Sequence, residues 1–295
     1  MRLLVTGAAG MLGADVTRAA NRAGHEPLLV DLPELDITDE AAVRALLASE
    51  RPGAVVNCAA WTDVDGAEEH PERAYAVNAA GAGNLARAAT EICAPLVHLS
   101  TDYVFDGNAP LDAGGRPRAY LESDPTGPRS VYGQSKLAGE QQVLAACARH
   151  TVVRSAWLFG TGGPNFAATM LRLAAQRRAV QVVDDQIGCP TWTGHLAPAL
   201  LGLLSREVSG LVHLAGSGRV SWNGFAREIF RQAGVECEVQ ALSTVQLARA
   251  APRPAWSALE SEREEVLPLP PWQDGLAGYL AARAGLVRAD GTPAA

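Results

Sequence analysis

The sequence predicts an α/β protein built on a doubly wound parallel sheet, because short β-branched runs alternate with longer alanine-rich helical segments throughout its first half. A glycine-rich turn directly after the first predicted strand and a looser pattern beyond residue 155 are the other two observations. Strands separated by helices imply right-handed crossovers, which place helices on both faces of a parallel sheet. We therefore expect a Rossmann-like main domain with a smaller C-terminal lobe interleaved with it.

The predicted main domain covers residues 1–155. Its strands are predicted at 3–6, 27–30, 54–57, 95–100 and 151–154, and its helices near 11–23, 39–50, 71–93 and 131–149. Asp39 suits an N-cap, and Pro71 suits the first turn of its helix. His98 falls in a buried strand, and we expect it to be a hydrogen-bonded core residue.

The smaller lobe is predicted to take up most of residues 156–290. A helix is expected at 165–178, a strand at 180–183 and a further strand at 211–214, and the last of these would complete the main sheet at about 208–216. Residues 106–129 contain four prolines and four glycines and predict a long functional or mobile loop. Residues 291–295 are predicted to be a disordered tail.

Composition and charge narrow the function classes. The 295 residues carry a formal charge of -7, which argues against binding a phosphate backbone, since nucleic-acid binders usually present a basic face. The first residues lack a signal-peptide pattern, no apolar stretch is long enough to cross a membrane, and the five cysteines form no Cys-x-x-Cys pair. We expect a cytoplasmic protein without zinc, disulfides, nucleic-acid partners or membrane partners.

Tyr132 and Lys136 lie four residues apart at the start of a predicted helix. This spacing places both side chains on one helix face. A free phenol has a pKa of about 10, and a cation beside it lowers that value. The pair could therefore exchange a proton with a carbonyl or an alcohol. The alternative is that Tyr132 only packs at the helix start while Lys136 is solvated.

Glycines 7, 10 and 13 follow the first strand and open the first helix. They permit a tight turn and a close approach of a pyrophosphate to the helix start, which predicts a dinucleotide site. Asp31 ends the second strand, where a carboxylate can bond the adenosine ribose hydroxyls. Leu32-Pro33-Glu34 follows without a basic residue, which favours NADH over NADPH. Asp31 could equally cap the strand end.

Together these patterns resemble the extended short-chain dehydrogenase/reductase superfamily, and further segments resemble its dTDP-4-dehydrorhamnose reductase family along nearly the whole chain. Beyond the glycine turn, the segments that carry the resemblance are Ser100–Phe105, Val131–Glu140, Arg154–Trp157, Asn165-Phe166, Asp185–Thr191 and Arg253-Pro254.

The resemblance implies a catalytic set of Thr101, Tyr132 and Lys136. The Thr101 hydroxyl would bond the substrate carbonyl, and Tyr132 would protonate the ketone oxygen as hydride arrives from NADPH or NADH. Lys136 would bond the nicotinamide ribose and depress the tyrosine pKa. The alternative for Thr101 is a strand-end hydroxyl that caps its own backbone.

The resemblance also implies two sets of binding residues. The cofactor set, besides Tyr132 and Lys136, is Gly7, Ala9, Gly10, Met11, Leu12, Gly13, Asp31, Asp36, Ile37, Ala59, Ala60 and Trp61. The substrate set, besides Thr101 and Tyr132, is Val64, Asp65, Asp102, Trp157, Asn165 and Arg253. Trp157 could instead be a core residue, and Arg253 could form a surface ion pair. Asn78 resembles the active-site asparagine of the family.

The implied reaction is reduction of the 4-keto group of dTDP-4-dehydro-β-L-rhamnose to dTDP-L-rhamnose. A reductase of another dTDP-keto-deoxysugar, including dihydrostreptose-type chemistry, is an alternative because the loop at 106–129 is longer than usual for the family. A non-catalytic NADP-binding regulatory subunit is a second alternative. Some relatives bind magnesium at a dimer interface, but Thr191–His195 contains no carboxylate, so we expect no metal and a monomer or homodimer.

Overall fold

The computed structural model describes residues 1–285, so the predicted tail at 291–295 lies outside the described residues. The strands are β1 (Arg2–Thr6), β2 (Glu26–Val30), β3 (Ala54–Asn57), β4 (Leu96–Thr101), β5 (Thr151–Ser155), β6 (Leu158–Phe159), β7 (Ala179–Val183), β8 (Ile187–Gly188), β9 (Thr191–Trp192), β10 (Gly210–His213), β11 (Val220–Ser221) and β12 (Glu238–Leu242).

The helices surround these strands. They are α1 (Met11–Arg22), α2 (Glu40–Glu50), α3 (Val64–Glu69), α4 (Pro71–Tyr75), α5 (Ala82–Glu91), α6 (Val131–Ala146), α7 (Phe166–Ala174), α8 (Thr193–Ser205), α9 (Trp222–Ala233), α10 (Thr244–Leu247) and α11 (Trp272–Arg283). A π-helical segment, Ala76–Gly81, joins α4 to α5, and a 3-10 turn, Asp102–Val104, follows β4. None of the helices within residues 1–285 has both the length and the apolar character that crossing a membrane requires.

A six-stranded parallel sheet forms the centre of the main domain, in the spatial order β10-β5-β4-β3-β1-β2. The strand order reverses between β1 and β3, and ligands of such sheets bind in the crevice at the carboxyl ends of the strands at this switch point. Leu3 and Val5 of β1 pack into the core beneath α1 and α8, whereas Leu4 packs into the core beneath α2 and α5. The side chains of β1 thus point alternately to the two faces of the sheet and contribute to both hydrophobic cores.

Local signals set the helix starts. The Asp39 side chain accepts a hydrogen bond from Ala42 N and caps α2, and Pro71 is the first residue of α4. Ser130 caps α6 in the same way by accepting from Gly133 N. The helix predicted at 71–93 is instead divided by the π-helical segment, which widens the backbone at Asn78.

The C-terminal lobe has its own core of aromatic residues. Phe159, Phe225 and Tyr279 are buried there between α7, α9 and α11. Its strand β7 pairs in parallel with β12. The predicted strand at 211–214 corresponds to β10, which pairs with β5 at the edge of the main sheet. The division into domains at residue 155 stays a prediction.

The long loop at 106–129 is fastened to the C-terminal lobe. Phe105 stacks on Tyr120 with ring centroids 3.9 Å apart, and the Tyr120 backbone N–H donates to the Ala258 carbonyl oxygen at 2.8 Å. The indole N–H of Trp256 donates to the Arg118 carbonyl oxygen at 2.9 Å. These contacts argue against a freely moving lid, because opening the loop would break a buried aromatic stack and two hydrogen bonds.

Candidate active site

Thr101, Tyr132 and Lys136 meet at the carboxyl end of the main sheet. Thr101 is the last residue of β4, and the other two lie in the first two turns of α6. Lys136 is 2% exposed, and its ammonium group donates to the Leu99 carbonyl oxygen of β4. The predicted alternative of a solvated Lys136 is therefore wrong.

The Thr101 hydroxyl has two local partners. It accepts from the Tyr103 backbone N–H at 3.2 Å and donates to Asp102 Oδ1 at 3.0 Å. The first bond caps the short turn after β4, as the alternative interpretation of Thr101 expects. Tyr132 lies close enough that the Thr101 hydroxyl opposes the rise in the pKa of the phenol. Capping thus fixes the hydroxyl near the tyrosine, and its predicted bond to a substrate carbonyl stays a prediction.

The ionisation of Tyr132 differs from the expectation. Burial raises the pKa of Tyr132 to about 12, Thr101 opposes the shift through its hydrogen bond, and the Asp102 charge adds to it. The prediction that Lys136 depresses this pKa is wrong for the chain by itself, because Lys136 donates to the backbone of β4 and not to the phenol. Tyr132 is consequently a protonated phenol at neutral pH, which is the form that a general acid requires.

A buried ion pair fixes α6 against the sheet. Glu140 lies one turn beyond Lys136 and accepts from Arg154 of β5 through both oxygens, at 2.9 and 2.7 Å. Ser100 of β4 also donates to Glu140, and the Arg154 guanidinium lies 4.9 Å from the Phe105 ring centre. No local pattern predicts this ion pair, although the spacing of Tyr132, Lys136 and Glu140 at successive turns points to a shared helix face.

Asp102 is buried beside the predicted catalytic residues, 2% exposed. Burial raises the pKa of Asp102 to about 6, while the nearby Ser257 and Thr101 hydroxyls oppose the shift. The carboxyl group therefore lies close enough to Thr101 to influence it. Its predicted contact with substrate stays a prediction.

The glycine turn forms a cradle that only small residues permit. Gly7 has a φ of +65°, and a Cβ added to it would approach Ala59 N within 2.6 Å. A Cβ on Gly13 would overlap the Gly7 carbonyl oxygen. Gly10 occupies the N-cap position of α1 and has no side chain to cap the helix. The backbone N–H groups and the dipole of this helix start therefore face the crevice, which fits the pyrophosphate of a nicotinamide dinucleotide.

Asp31 is joined to this turn. Its Oδ2 accepts from Ala9 N and its Oδ1 accepts from Leu32 N, both at 2.9 Å. The carboxylate thus caps local backbone at the carboxyl end of β2. The predicted cap at the strand end is therefore present, and a role at the adenosine ribose stays a prediction.

The other predicted cofactor residues line the same crevice or support it. Ala59, Ala60 and Trp61 follow β3, directly opposite the glycine turn. Met11 contacts the turn at Gly160 and Gly163, and Leu12 is 7% exposed and packs into the core. After β2, Asp36 is exposed and accepts from Thr38, whereas Ile37 is buried against Gly81 of the π-helical segment.

Asn78 connects the segment after β3 to α6. Its Oδ1 accepts from Trp61 N at 2.8 Å, and its Nδ2 donates to the Trp61 carbonyl oxygen and to Ser135 Oγ. The buried amide is thus fully bonded by two elements of the crevice. Asn78 therefore holds Ala59–Trp61 at a defined distance from α6.

Asp65 and Arg253, both predicted to bind substrate, bind one another and so join α3 to the segment before residue 256. Arg253 Nη2 lies 2.9 Å from Asp65 Oδ2, and the Ala251 backbone N–H donates to Asp65 Oδ1 at 3.0 Å. The ion pair expected as the alternative for Arg253 is therefore present. Val64 begins α3 directly beside it.

Trp157 and Asn165 are the remaining predicted substrate residues. Trp157 has a φ of +48°, stacks on Trp222 with ring centroids 3.5 Å apart and donates from Nε1 to Ser257 Oγ. A left-handed tryptophan is uncommon and often marks a functional site. Asn165 caps α7 by accepting from Ala168 N, and its Nδ2 donates to the Gly160 and Gly163 carbonyl oxygens. Its amide is therefore engaged with the local backbone.

Comparison with known proteins agrees with this geometry. Residues 1–284 match the family described as the RmlD substrate binding domain. A dTDP-4-dehydrorhamnose reductase of Mycobacterium tuberculosis is 46% identical over 295 residues, which cover 98% of this chain and 95% of the relative. The chain belongs to the dTDP-4-dehydrorhamnose reductase family.

Two further similarities place the chain within this reductase family. The dTDP-4-keto-6-deoxy-D-glucose reductase of Streptomyces niveus is 45% identical over 237 residues, which cover 80% of each protein. A crystal structure of the Bacillus anthracis dTDP-4-dehydrorhamnose reductase, in complex with NADP, superposes with a TM-score of 0.90 at 36% identity and covers 95% of this chain and 99% of that one. Within residues 1–285, no three or more His, Cys, Asp or Glu side chains are grouped to hold a metal.

Replacing Arg154 by methionine should lower the free energy of unfolding by about 3–5 kcal/mol, because Glu140 would be left buried without its partner. The double change Arg154→Met and Glu140→Gln should recover much of the loss, since the amide still accepts from Ser100. Urea denaturation measures both values. The control is Arg231→Met, which breaks an exposed pair with Glu228 and should have little effect. Equal losses in the single and double variants would contradict a charge-pair role.

Proposed function

We propose that this chain reduces the 4-keto group of dTDP-4-dehydro-β-L-rhamnose to dTDP-L-rhamnose with NADH or NADPH. One observation carries the proposal: Thr101 at the end of β4 and Tyr132 on the first turn of α6 lie close enough for the Thr101 hydroxyl to oppose the rise in the Tyr132 pKa, beside the glycine cradle. Two hydroxyl groups that converge beside a dinucleotide site can bind and protonate one carbonyl oxygen. The names of the 45–46% identical relatives support a dTDP-keto-sugar as the substrate class.

Different residues of the chain have different roles in the proposed ketone reduction. The nicotinamide cofactor supplies the hydride when bound. On substrate binding, Thr101 must turn its hydroxyl proton from Asp102 Oδ1 to the ketone oxygen. Tyr132 gives its phenolic proton to the same oxygen as negative charge develops there. Asn78 and the ion pair of Glu140 and Arg154 keep these groups in place. Such positioning is a large part of catalysis in bimolecular reactions.

Substrate orientation depends on the cleft between the main domain and the lobe. The Trp157 ring stacks on Trp222, so the sugar or the thymine base would meet only the part of the half-buried indole that stays exposed. Arg253 lies close to α3, where Asp65 compensates the charge of its guanidinium group. An incoming diphosphate could compete with Asp65 for this guanidinium, since both offer anionic oxygens to the same planar donor. We therefore assign Arg253 to the nucleotide end of the substrate.

Reduction of a different dTDP-keto-deoxysugar is the second candidate. The Streptomyces niveus relative, named for a 4-keto-6-deoxy-D-glucose substrate, is as similar in its aligned region as the relative named for dehydrorhamnose. A non-catalytic regulatory subunit is less well supported, because Thr101, Tyr132 and Lys136 are all present and assembled. Comparing turnover on the two sugar configurations separates the two reductase functions.

Tyr132→Phe should lower kcat about a hundred-fold or more while cofactor binding is retained, because only the proton donor is removed. NAD(P)H oxidation with the dTDP-keto-sugar measures turnover, and quenching of protein fluorescence measures cofactor binding. The control is Tyr103→Phe, a tyrosine whose ring lies 5.5 Å from that of Tyr132 and which should retain most activity. If wild-type protein binds cofactor but oxidises none with any keto-sugar, the regulatory function is favoured.

Wild-type protein should use NADH with a kcat/KM about tenfold above that for NADPH, because a 2′-phosphate would approach the Asp31 carboxylate. Asp31→Asn should narrow the difference in kcat/KM between the two cofactors, since it removes the charge. Its amide can accept from only one of the two backbone N–H groups that Asp31 binds. Initial rates with both cofactors measure this preference. Asp39→Asn is the control, as it removes a carboxylate that only caps α2. An unchanged ratio in Asp31→Asn would remove Asp31 from cofactor selection.

A further inference from the structure

Lys136 is the only lysine in the sequence; the 25 lysine and arginine residues comprise this one lysine and 24 arginines. Arginine stays charged under all ordinary conditions, whereas a buried lysine can release its proton. Lys136 is 2% exposed, and its Nζ lies 3.4 Å from His98 Nε2, in addition to its bond with the Leu99 carbonyl oxygen. His98 is fully buried and, as predicted, hydrogen-bonded.

Asn57 determines which nitrogen of His98 carries the proton. The Asn57 carbonyl oxygen accepts from Thr6 Oγ1 at 2.8 Å and from the Ala59 backbone N–H at 3.0 Å. A backbone N–H can only donate, so the amide cannot be turned around. Asn57 Nδ2 must then donate to His98 Nδ1, which lies 2.9 Å away. His98 Nδ1 is therefore an acceptor without a proton.

The neutral imidazole consequently carries its proton on Nε2, the nitrogen that faces Lys136. Burial, followed by the Lys136 charge, holds the pKa of His98 well below its usual value, so the ring stays neutral. An ammonium group has three donors and no acceptor. The Nε2–H therefore opposes the ammonium form of Lys136, whereas it can donate to the lone pair of the amine form.

The other ionisable groups around Lys136 do not cancel this effect. Glu140 favours the ammonium form, but both of its oxygens are engaged by Arg154. Burial raises the pKa of the Cys58 thiol to about 12, so this neighbour is neutral. Tyr132, one turn earlier on α6, is a neutral phenol. Burial lowers the pKa of Lys136 to about 8, against the opposing effect of Glu140.

We propose that His98 is a positioning residue, whose tautomer is fixed by Asn57, and that it makes the ammonium form of Lys136 a ready proton donor at the working pH. Its part in turnover rests on the proposed reductase function. After Tyr132 loses its proton to the ketone oxygen, a bridging water molecule gives a proton to the phenolate and restores the O–H bond of Tyr132. The same water takes a proton from Lys136, whose N–H bond breaks, because Lys136 does not itself bond the phenol. The amine that remains accepts from His98 Nε2–H until water returns a proton to Nζ.

The single lysine makes this proposal directly measurable. Full-length protein labelled with ¹³C and ¹⁵N in lysine has one ε-methylene resonance, and its chemical shift reports the ionisation of Lys136. We expect a wild-type midpoint near pH 8. His98→Asn keeps an acceptor for Asn57 but removes the donor at Lys136, and should raise the midpoint by about one pH unit. His98→Gln, whose longer amide reaches towards Nζ, should stay close to wild type.

A wild-type midpoint near 10.5, or equal midpoints in wild type and His98→Asn, would overturn the proposal. Long-range ¹H–¹⁵N spectra of wild-type protein test the tautomer without any substitution: we expect a proton on His98 Nε2, and a proton on Nδ1 would overturn it. These readouts need no substrate, so they are independent of the proposed reaction. In His98→Asn, the pH above which kcat falls should rise together with the ionisation midpoint of Lys136. If that pH does not change, the proposed role of His98 in turnover is overturned.

Discussion

The attachment of α6 to the neighbouring strands is the constraint on which the rest of the site depends. Lys136 binds the backbone of β4, and one turn later Glu140 binds Ser100 of β4 and Arg154 of β5. These buried contacts fix both the rotation and the height of the helix. Tyr132, one turn before Lys136, is thereby held against Thr101. A helix attached only through apolar contacts could slide or rotate by a fraction of a turn, and general acid catalysis does not tolerate such displacement.

Burial also sets the ionisation of the groups along this helix face. The low dielectric environment favours a neutral phenol at Tyr132 and lowers the pKa of Lys136, so the acid is protonated and its neighbour can give up a proton. Arg154 supplies the permanent charge that Glu140 requires, which leaves Lys136 incompletely compensated. The two positively charged side chains of the site, Arg154 and Lys136, thus have different functions. Arginine stabilises the structure, and the only lysine is available for proton transfer.

The sequence was sufficient for features that depend on local spacing. Each of these features involves only neighbouring residues: the strand–turn–helix at Gly7, the four-residue spacing of Tyr132 and Lys136, and the helix caps at Asp39 and Ser130. The sequence predicts all of them except the cap at Ser130. The direction of the Tyr132 pKa was predicted wrongly, since it depends on burial and on the backbone acceptor that Lys136 finds in β4. The bond between Asp65 and Arg253 joins residues 188 positions apart, and no local pattern specifies such a pairing.

The transfer of hydride to the sugar tests the central claim most directly. Purified protein can be incubated with dTDP-4-dehydro-β-L-rhamnose and NADH that carries deuterium at the transferable position of the nicotinamide. The product is then examined by NMR. We predict dTDP-L-rhamnose with deuterium bonded to C4 of the sugar and the C4 hydroxyl in a single configuration. Unlabelled or unreduced sugar, recovered from protein that binds the cofactor, would contradict the account.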